Sequence, residues 1–374
     1  FSSRRRHTRY ISVTGVQTCA LPISKLGGFA HDTGEGGYSP YHREMGGDII
    51  WEIGSGYFGC RNPDGTFNAD KFAEGAANPQ VKMVELKMSQ GAKPGHGGVL
   101  PGPKVSKEIS LTRGVPMGED CISPSSHSAF GTPIEMMKFI GEMRRLSGGK
   151  PAGFKLCIGH EWEFLAICKA MLETGIYPDF IVVDGKEGGT GAAPMEFVDH
   201  IGKPMRQGLY AVHNALIGIG ARHRIKIGAA GKIITAFDII RALALGADWC
   251  NAARGFMFAL GCIQSLSCHT DRCPTGVTTQ EPSRYRALVV QGAKANNDFS
   301  GEIQFSLNLV QGGKPVTITF PDSKNPETPP LKLTFRHYQR VEGSIPLPEG
   351  SVLKSAQIRI LERGQQRAQQ TVSF

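Results

Sequence analysis

The chain has 374 residues, of which 40% are hydrophobic, and a formal net charge of +9. That length holds one large barrel or two ordinary domains, and that apolar share can fill a core. The positive charge does not argue for nucleic acid, because outside Arg4–Arg6 and residues 222–226 the basic residues are dispersed rather than clustered with aromatics. Nine cysteines scattered along the chain exclude a small secreted disulfide scaffold and fit a reducing cytoplasm. No stretch reaches the ~18 apolar residues of a membrane span.

Residues 1–24 are rich in Arg and Ser and contain no acid, the composition of a transit peptide. The run from Ser2 to Ser24 looks instead like a translated sequencing adapter. On that reading Arg4–Arg6 and Cys19 carry no function. Residues 25–290 then form the main domain, and residues 291–374 a separate one.

From about residue 48 to 254, apolar strand-like runs alternate with amphipathic stretches. The strand candidates are Asp48–Gly54, Val81–Ser89, Glu119–Ser123, Phe154–Gly159, Phe180–Gly185, Arg224–Ala229 and Asp248–Arg254. Helical periodicity covers 133–147, 161–174, 207–221, 235–245 and 255–267. Strands followed by helices of this length indicate βαβ units and a parallel sheet. Phe180-Ile181-Val182-Val183 is apolar on both faces, as a buried parallel strand is. The prediction is an α/β fold: a (β/α)8 TIM barrel lacking its first strand. A doubly wound open sheet is the alternative, disfavoured because no G-x-G-x-x-G follows the first strand. Beyond residue 291 the period changes to two, in 302–307, 315–320, 331–335 and 356–360. That pattern predicts a small antiparallel β module of about four strands. It is either an accessory tail or a piece of an unrelated protein.

Glycine-rich loops follow the predicted barrel strands. They are Asp184–Gly191, with Gly188-Gly189-Thr190-Gly191 at its end, then Gly228–Lys232, including Ala230 and Gly231, and then Ala252–Gly255, including Ala253 and Arg254. Loops after the last barrel strands commonly bind phosphate through bare backbone N–H groups. Gln90–Gly102 and Asp32–Gly37 are likewise too glycine-rich to pack and read as ligand-facing. Lys155 lies inside the apolar strand Phe154–Ile158. A lysine pointing into a barrel must be paired or functional, unless its ammonium snorkels to the strand end. Cys60, Cys121, Cys157, Cys168 and Cys250 read as small buried apolar residues. His127, His160, His213 and His269 read as structural partners.

The densest motif is Cys262–Pro274, which sets Cys262, Cys268 and Cys273 at C-x5-C-x4-C with a proline after the last. Three thiolates are one short of a closed zinc site and suit an iron–sulfur cluster with a missing corner.

Taken together, DTGEGG (32–37), SGYFG (55–59), QGAKPGHGGVLPGPKV (90–105), ISPSSHS (122–128), FKLCIG (154–159), GGTGAAP (188–194) and GCIQSLSCHTDRCPTGVTTQ (261–280) resemble the central flavin domain of glutamate synthase. The stand-alone FMN-binding glutamate synthase family is the closer resemblance. It implies a βα barrel with FMN at the strand C-termini and a [3Fe–4S] cluster on Cys262, Cys268 and Cys273. It implies hydride transfer to 2-iminoglutarate or a related 2-imino or 2-oxo acid. The electron donor would be a ferredoxin or an NAD(P)H-dependent reductase subunit. Lys155 would serve flavin and substrate, and Gln90 the flavin. Gly188, Gly189, Thr190, Gly191, Ala230, Gly231, Ala253 and Arg254 would contact FMN, the phosphate lying nearest Gly231 and Arg254. Lys93, His96 and Glu35 would face the substrate.

The chain departs from the family pattern in four places. His96 replaces the glutamate of KPGEGG, which removes a charge and adds a group titrating near neutrality. IGAAGK (227–232) stands where Asp-Gly-Gly is usual. No amidotransferase domain with an N-terminal catalytic cysteine is expected within these 374 residues, and the first barrel strand is expected to be absent. Two rivals follow: an electron-transfer or scaffold subunit without its own substrate, and a subunit of an N-methylglutamate synthase-type complex.

Overall fold

A computed structural model describes residues 24–44, 46–189, 193–266, 268, 273, 275, 277, 284–291, 298–322, 330–345, 347–348 and 351–373. The chain divides into two compact units, Cys19–Thr270 and Asp271–Phe374 with Phe1–Thr18.

The first unit is built on a seven-stranded parallel sheet. Its strands are β1 (His31–Asp32), β2 (Ile49–Ile53), β3 (Val81–Lys87), β6 (Ala152–Leu156), β7 (Phe180–Asp184), β8 (Lys226–Ala230) and β9 (Trp249–Asn251). A short hairpin of β4 (Gly98–Leu100) and β5 (Cys121–Ser123) stands apart from it. The helices are α1 (Pro40–Glu44), α2 (Ala69–Ala77), α3 (Lys107–Arg113), α4 (Pro133–Leu146), α5 (Glu161–Thr174), α6 (Met205–Gly218), α7 (Ala236–Ala244) and α8 (Ala253–Ala259). Each sheet strand pairs with the next one in sequence. An order that never reverses is the winding of a barrel, since a doubly wound sheet changes direction at a switch point. The fold is therefore an α/β half-barrel, as the sequence pattern predicts.

Local chemistry sets the element starts. Thr132 Oγ1 accepts the Glu135 N–H at 3.2 Å, Glu135 returns to the Thr132 N–H at 3.0 Å, and Pro133 opens α4. Thr235 and Asp238 repeat this reciprocal cap on α7. All five residues of β2 and of β7 are buried, so these strands have helices on one side and the barrel interior on the other. The core runs from Trp51, stacked on Phe72 at 5.3 Å, through Phe154 and Ile181 to Ile227.

One predicted barrel strand is corrected. Residues 119–123 yield only β5, which pairs antiparallel with β4 and lies outside the barrel sheet. Cys121 and Ser123 are buried while Ile122 between them is 63% exposed, the one-sided pattern of a hairpin. The seventh place is taken by β1, in the segment expected to be loop.

The second unit is antiparallel. β10 (Arg284–Val290) pairs with β14 (Tyr338–Ser344). β11 (Phe299–Gln311), β12 (Lys314–Phe320), β13 (Leu331–Phe335), β15 (Ser351–Glu362) and β16 (Gln365–Ser373) form a sheet ordered β12-β11-β15-β16, with β13 also on β11. Gly312 and Gly313 both have positive φ, at 55° and 78°, which suits the tight turn between β11 and β12. β16 escaped the sequence pattern because Gln365-Gln366-Arg367-Ala368-Gln369-Gln370 has no apolar alternation. Its backbone ladder to β15 holds it in place.

Candidate active site at the strand ends

Parallel strands deliver all their C-termini to one end of the sheet, and here several of those ends carry charge. Strand register sets the pairs. Glu52 of β2 lies beside Glu85 of β3, and Lys87 of β3 lies beside Lys155 of β6. Like charges are neighbours across strands, so attraction must run between the two pairs. It does: Lys155 Nζ meets Glu52 Oε2 at 2.8 Å, and Lys87 Nζ lies 3.8 Å from Glu52 Oε1. Lys87 also reaches Glu35 Oε2 at 2.9 Å. Glu52, Glu85, Lys87 and Asp184 are all buried.

Burial and charge pull these groups apart in acidity. Burial alone would lower the Lys155 ammonium, but Glu52, Asp32, Asp184 and Glu85 around it hold its pKa well above the ordinary lysine value. Burial would raise Glu52, yet Lys155 and Lys87 outweigh it and hold the carboxyl down to about 2. Asp32 goes the other way, raised by burial and by Glu52 to about 6. Burial, with Asp32 and Glu52 nearby, drives Glu85 well above the carboxylate range. Asp184 is raised by burial, against the pull of Lys155 and of the Gly91 N–H.

The glycine loops gather on this cluster. Asp184 Oδ2 accepts the Gly91 N–H at 2.9 Å, which ties the Gln90–Lys93 turn to the end of β7. A Cβ on Gly91 would run into the Gly185 carbonyl, and one on Gly189 into Ala92. Arg254, in the first turn of α8, donates from Nη2 to the Gly189 carbonyl at 2.6 Å. Ala230 is buried at the end of β8, where its carbonyl accepts the Gly185 N–H at 2.9 Å. Gly231 follows with φ +131°, beside Met205 and Glu187. Ala253 opens α8. Thr190 and Gly191 lie outside the described residues.

Of the residues expected to face substrate, Lys93 donates to the Gly97 carbonyl at 3.2 Å. Burial lowers its pKa and Glu35 opposes that shift. His96 is exposed, with Nδ1 2.6 Å from the Gly97 carbonyl and its ring edge-on to Phe197 at 5.3 Å. Gln90 anchors the turn by accepting the Lys93 N–H at 3.3 Å. Burial pushes the Cys157 thiol up to about 12, the behaviour of an inert core cysteine. His127 bridges Tyr57 Oη at 3.1 Å and the Lys87 carbonyl at 2.9 Å, a structural partner.

Cys262 and Cys268 fall in the first unit and Cys273 in the second. Cys262 Sγ accepts the Gln264 N–H at 3.4 Å, and Gln264 and Leu266 both sit at φ 57°. Lys104 donates to the Cys268 carbonyl at 2.9 Å. Cys273 Sγ is 3.6 Å from Thr275 Oγ1. None of the described cysteines is in a disulfide. His269 lies outside the described residues.

Glu52, Glu85 and Lys87 are not among the residues the sequence singles out, and Asp32 and Asp184 enter only as the first residues of glycine-rich loops. The signal that exposed Lys155, a charge inside an apolar strand, is present in Ile49-Ile50-Trp51-Glu52-Ile53 and Phe180-Ile181-Val182-Val183-Asp184 too.

A family model described as the conserved region in glutamate synthase matches residues 10–297. The chain belongs to the glutamate synthase family. A glutamate synthase large subunit-like protein (YerD) of Bacillus subtilis is 45% identical over 265 residues, 71% of this chain and 50% of that protein. An archaeal-type glutamate synthase (NADPH) of Thermotoga maritima is 35% identical over 279 residues, 74% of this chain and 52% of that one. The chain thus spans about half the length of these curated relatives. A family of unknown function matches residues 276–360. Among solved structures, a flavocytochrome b2 mutant with pyruvate bound gives a TM-score of 0.38 at 13% identity, covering 71% of this chain and 62% of that one. DHODH from Eimeria tenella in complex with ferulenol gives 0.33 at 12%, covering 71% and 64%. No helix among the described residues is long and apolar enough to cross a membrane.

Proposed function

We propose that this glutamate synthase-family chain is an oxidoreductase barrel that uses FMN and a [3Fe–4S] cluster to reduce a 2-imino or 2-oxo acid, with 2-iminoglutarate as the family's substrate. One observation carries the reading: the Gln90–Lys93 turn, the Gly188–Gly189 loop and Arg254 meet at the strand ends that hold Lys155. These residues fit a flavin. The close approach of bare glycine backbone leaves room that a Cβ would fill, and Arg254 and Gly231 offer a cation and backbone for a phosphate. Three cysteines outside any disulfide suit a cuboidal iron–sulfur cluster. When bound, the flavin supplies hydride, and the cluster relays electrons from a ferredoxin or an NAD(P)H-dependent reductase subunit.

The protein's share is electrostatic. Lys155, fixed by Glu52, presents a charged N–H to developing negative charge and needs no reorganisation to do so. Lys93 and the Lys87–Glu35 pair hold an acid substrate's carboxylate and amino nitrogen in orientation. His96 at the rim sets substrate preference in place of the family's acid. Residues 291–374 receive no chemistry; the first family match ends at residue 297 and a second covers 276–360, which supports their separate origin.

The test is anaerobic purification of the full chain. Flavin absorbance, about three irons per chain and flavin reoxidation by 2-oxoglutarate with ammonia are expected. Cys268→Ala should lose the iron and keep the fold. A protein with neither flavin nor iron would overturn the reading. One whose flavin ignores every imino acid offered is an electron-transfer subunit instead.

A further inference from the structure

We propose that Asp32 and Glu85, linked to Lys155 through Glu52, form a buried proton store that recharges Lys155 during turnover. The inference rests on the reading above for Lys155, but the store itself stands on geometry. One carboxylate oxygen from each acid lies within 4.8 Å of the other two. Glu85 is fully buried, and no N–H or hydroxyl donor reaches either of its carboxylate oxygens, which lie against the Glu52 carboxylate; none reaches Asp32 Oδ2 either. Glu52, between the others and the lysines, has its two oxygens directed at Lys155 and Lys87.

The charges decide what fills the gap. Facing this spot are Asp32 from β1, Glu35 from the loop after it, Glu52 from β2, Glu85 and Lys87 from β3, Lys155 from β6 and Asp184 from β7. Five acids face Lys87 and Lys155, with Lys93 a third lysine beside Glu35. Lys87 is shared between Glu35 and Glu52 and Lys155 is bonded to Glu52, so among the described residues no cation pairs directly with Glu85 or Asp32, and Lys155 acts on both only at longer range. Like carboxylates this close in a buried site resist ionising together and share protons instead. The raised pKa values of Asp32 and Glu85 agree with that.

The step balances simply. A Lys155 N–H bond breaks as its proton passes to the substrate nitrogen, and Lys155 becomes a neutral amine. An O–H bond in the acid triad then breaks, an N–H bond on Lys155 forms again, and the triad gains one negative charge. Solvent returns the proton between turnovers. Glu52 is a positioning residue here, because it touches Lys155 directly. Glu85 and Asp32 act through it.

Infrared spectroscopy of the full chain near neutral pH tests the store without any cofactor. A protonated-carboxyl band that shifts in D2O is expected. Glu85→Gln or Asp32→Asn should abolish it, and Glu362→Gln, in an exposed ion pair, should not. Absence of the band from the unaltered protein, or its survival in both triad variants, would overturn the store. So would stoichiometric Mn2+ binding lost in Glu85→Gln, because a cation would then occupy the site. In flavin-loaded protein, Glu85→Gln should move the alkaline limb of the pH–rate profile to lower pH at unchanged flavin content. An unmoved profile with the band lost would overturn the recharging role. A chain that holds no flavin yet loses the band in Glu85→Gln would instead sink the proposed function alone.

Discussion

In the parallel unit, Glu52, Glu85, Lys87 and Asp184 are buried at strand ends, whereas the buried residues described in the antiparallel unit are apolar, among them Ile303, Phe305, Leu307, Leu309 and Leu333. The contrast follows from layering. An antiparallel sheet with one wet face sends its polar residues outward at every second position, and β11 does so along its length. A parallel sheet covered on both faces has no such outlet. A charge placed there must be held by another charge or by a proton. Retaining several charges in such a place costs stability, and groups with strongly shifted pKa values concentrate at functional sites. The antiparallel unit buries only packing.

Substitutions should separate the two kinds of core. Removing Glu52 leaves Lys155 without its 2.8 Å partner in a buried site. Glu52→Ala is expected to destabilise the parallel unit by about 3–5 kcal/mol, the cost of breaking a buried pair. Leu309→Ala should cost the antiparallel unit about 2–5 kcal/mol through a cavity. Urea unfolding monitored separately in each unit checks both. The sharper discriminator is the double variant Glu52→Leu with Lys155→Met, which should recover much of the loss, because matched apolar residues replace a buried ion pair well. Without that recovery, the Glu52 cost is ordinary packing and the contrast collapses.

Acidity should divide the units next. Glu52 has a folded pKa of about 2, below its ordinary value of 4.5. Its contribution is therefore complete above 4.5 and lost as pH falls toward 2. Asp32 is raised from 3.8 to about 6, so its contribution is complete below 3.8 and lost as pH rises through 6. Glu85 and Asp184 shift in the same direction as Asp32. The parallel unit should accordingly be most stable near pH 4–5 and weaken on either side. No buried carboxylate is described in the antiparallel unit, whose stability should stay flat over this range. Hydrogen exchange across the pH series would show it. Parallel pH dependence in both units would mean that the strand-end acids do not set it.

Much of this arrangement was legible in the chain. β7 declares itself because four consecutive apolar residues suit only a strand covered on both faces. The loop glycines at 188–189 and 231 were found because each follows such a strand. β1 was not legible: His31-Asp32 is two polar residues long and becomes a strand only through its pairing with β2. β5 was misplaced because a short apolar run does not say whether its partner is parallel. The acids of the site were visible singly but not as a group. Strand register brings Glu52 beside Glu85, and register is a property of neighbours 33 residues apart rather than of either segment.

Loop crowding gives a smaller effect. Gly91 sits where a side chain would strike the Gly185 carbonyl, so Gly91→Ala should cost about 1–3 kcal/mol of overpacking and loosen the turn carrying Gln90 and Lys93. Gly218, at the end of α6, has open space around its Cβ position. Gly218→Ala should gain a few tenths to about 1 kcal/mol from helix propensity. Thermal melts of the two variants should therefore move in opposite directions.

The least effect on stability, and the most informative about specificity, belongs to His96. Its side chain is exposed and touches only the Gly97 carbonyl and the edge of Phe197 in the described structure. His96→Glu should leave stability within about 0.5 kcal/mol, as surface changes do. It restores the family's acid beside Lys93, so it should change which imino or oxo acids reoxidise the flavin without changing how much flavin is bound. A substrate profile identical to that of the unaltered chain would remove His96 from the site. Selectivity would then rest on the strand-end charges alone, where Lys155 and Glu52 are fixed and offer no adjustable group at the rim.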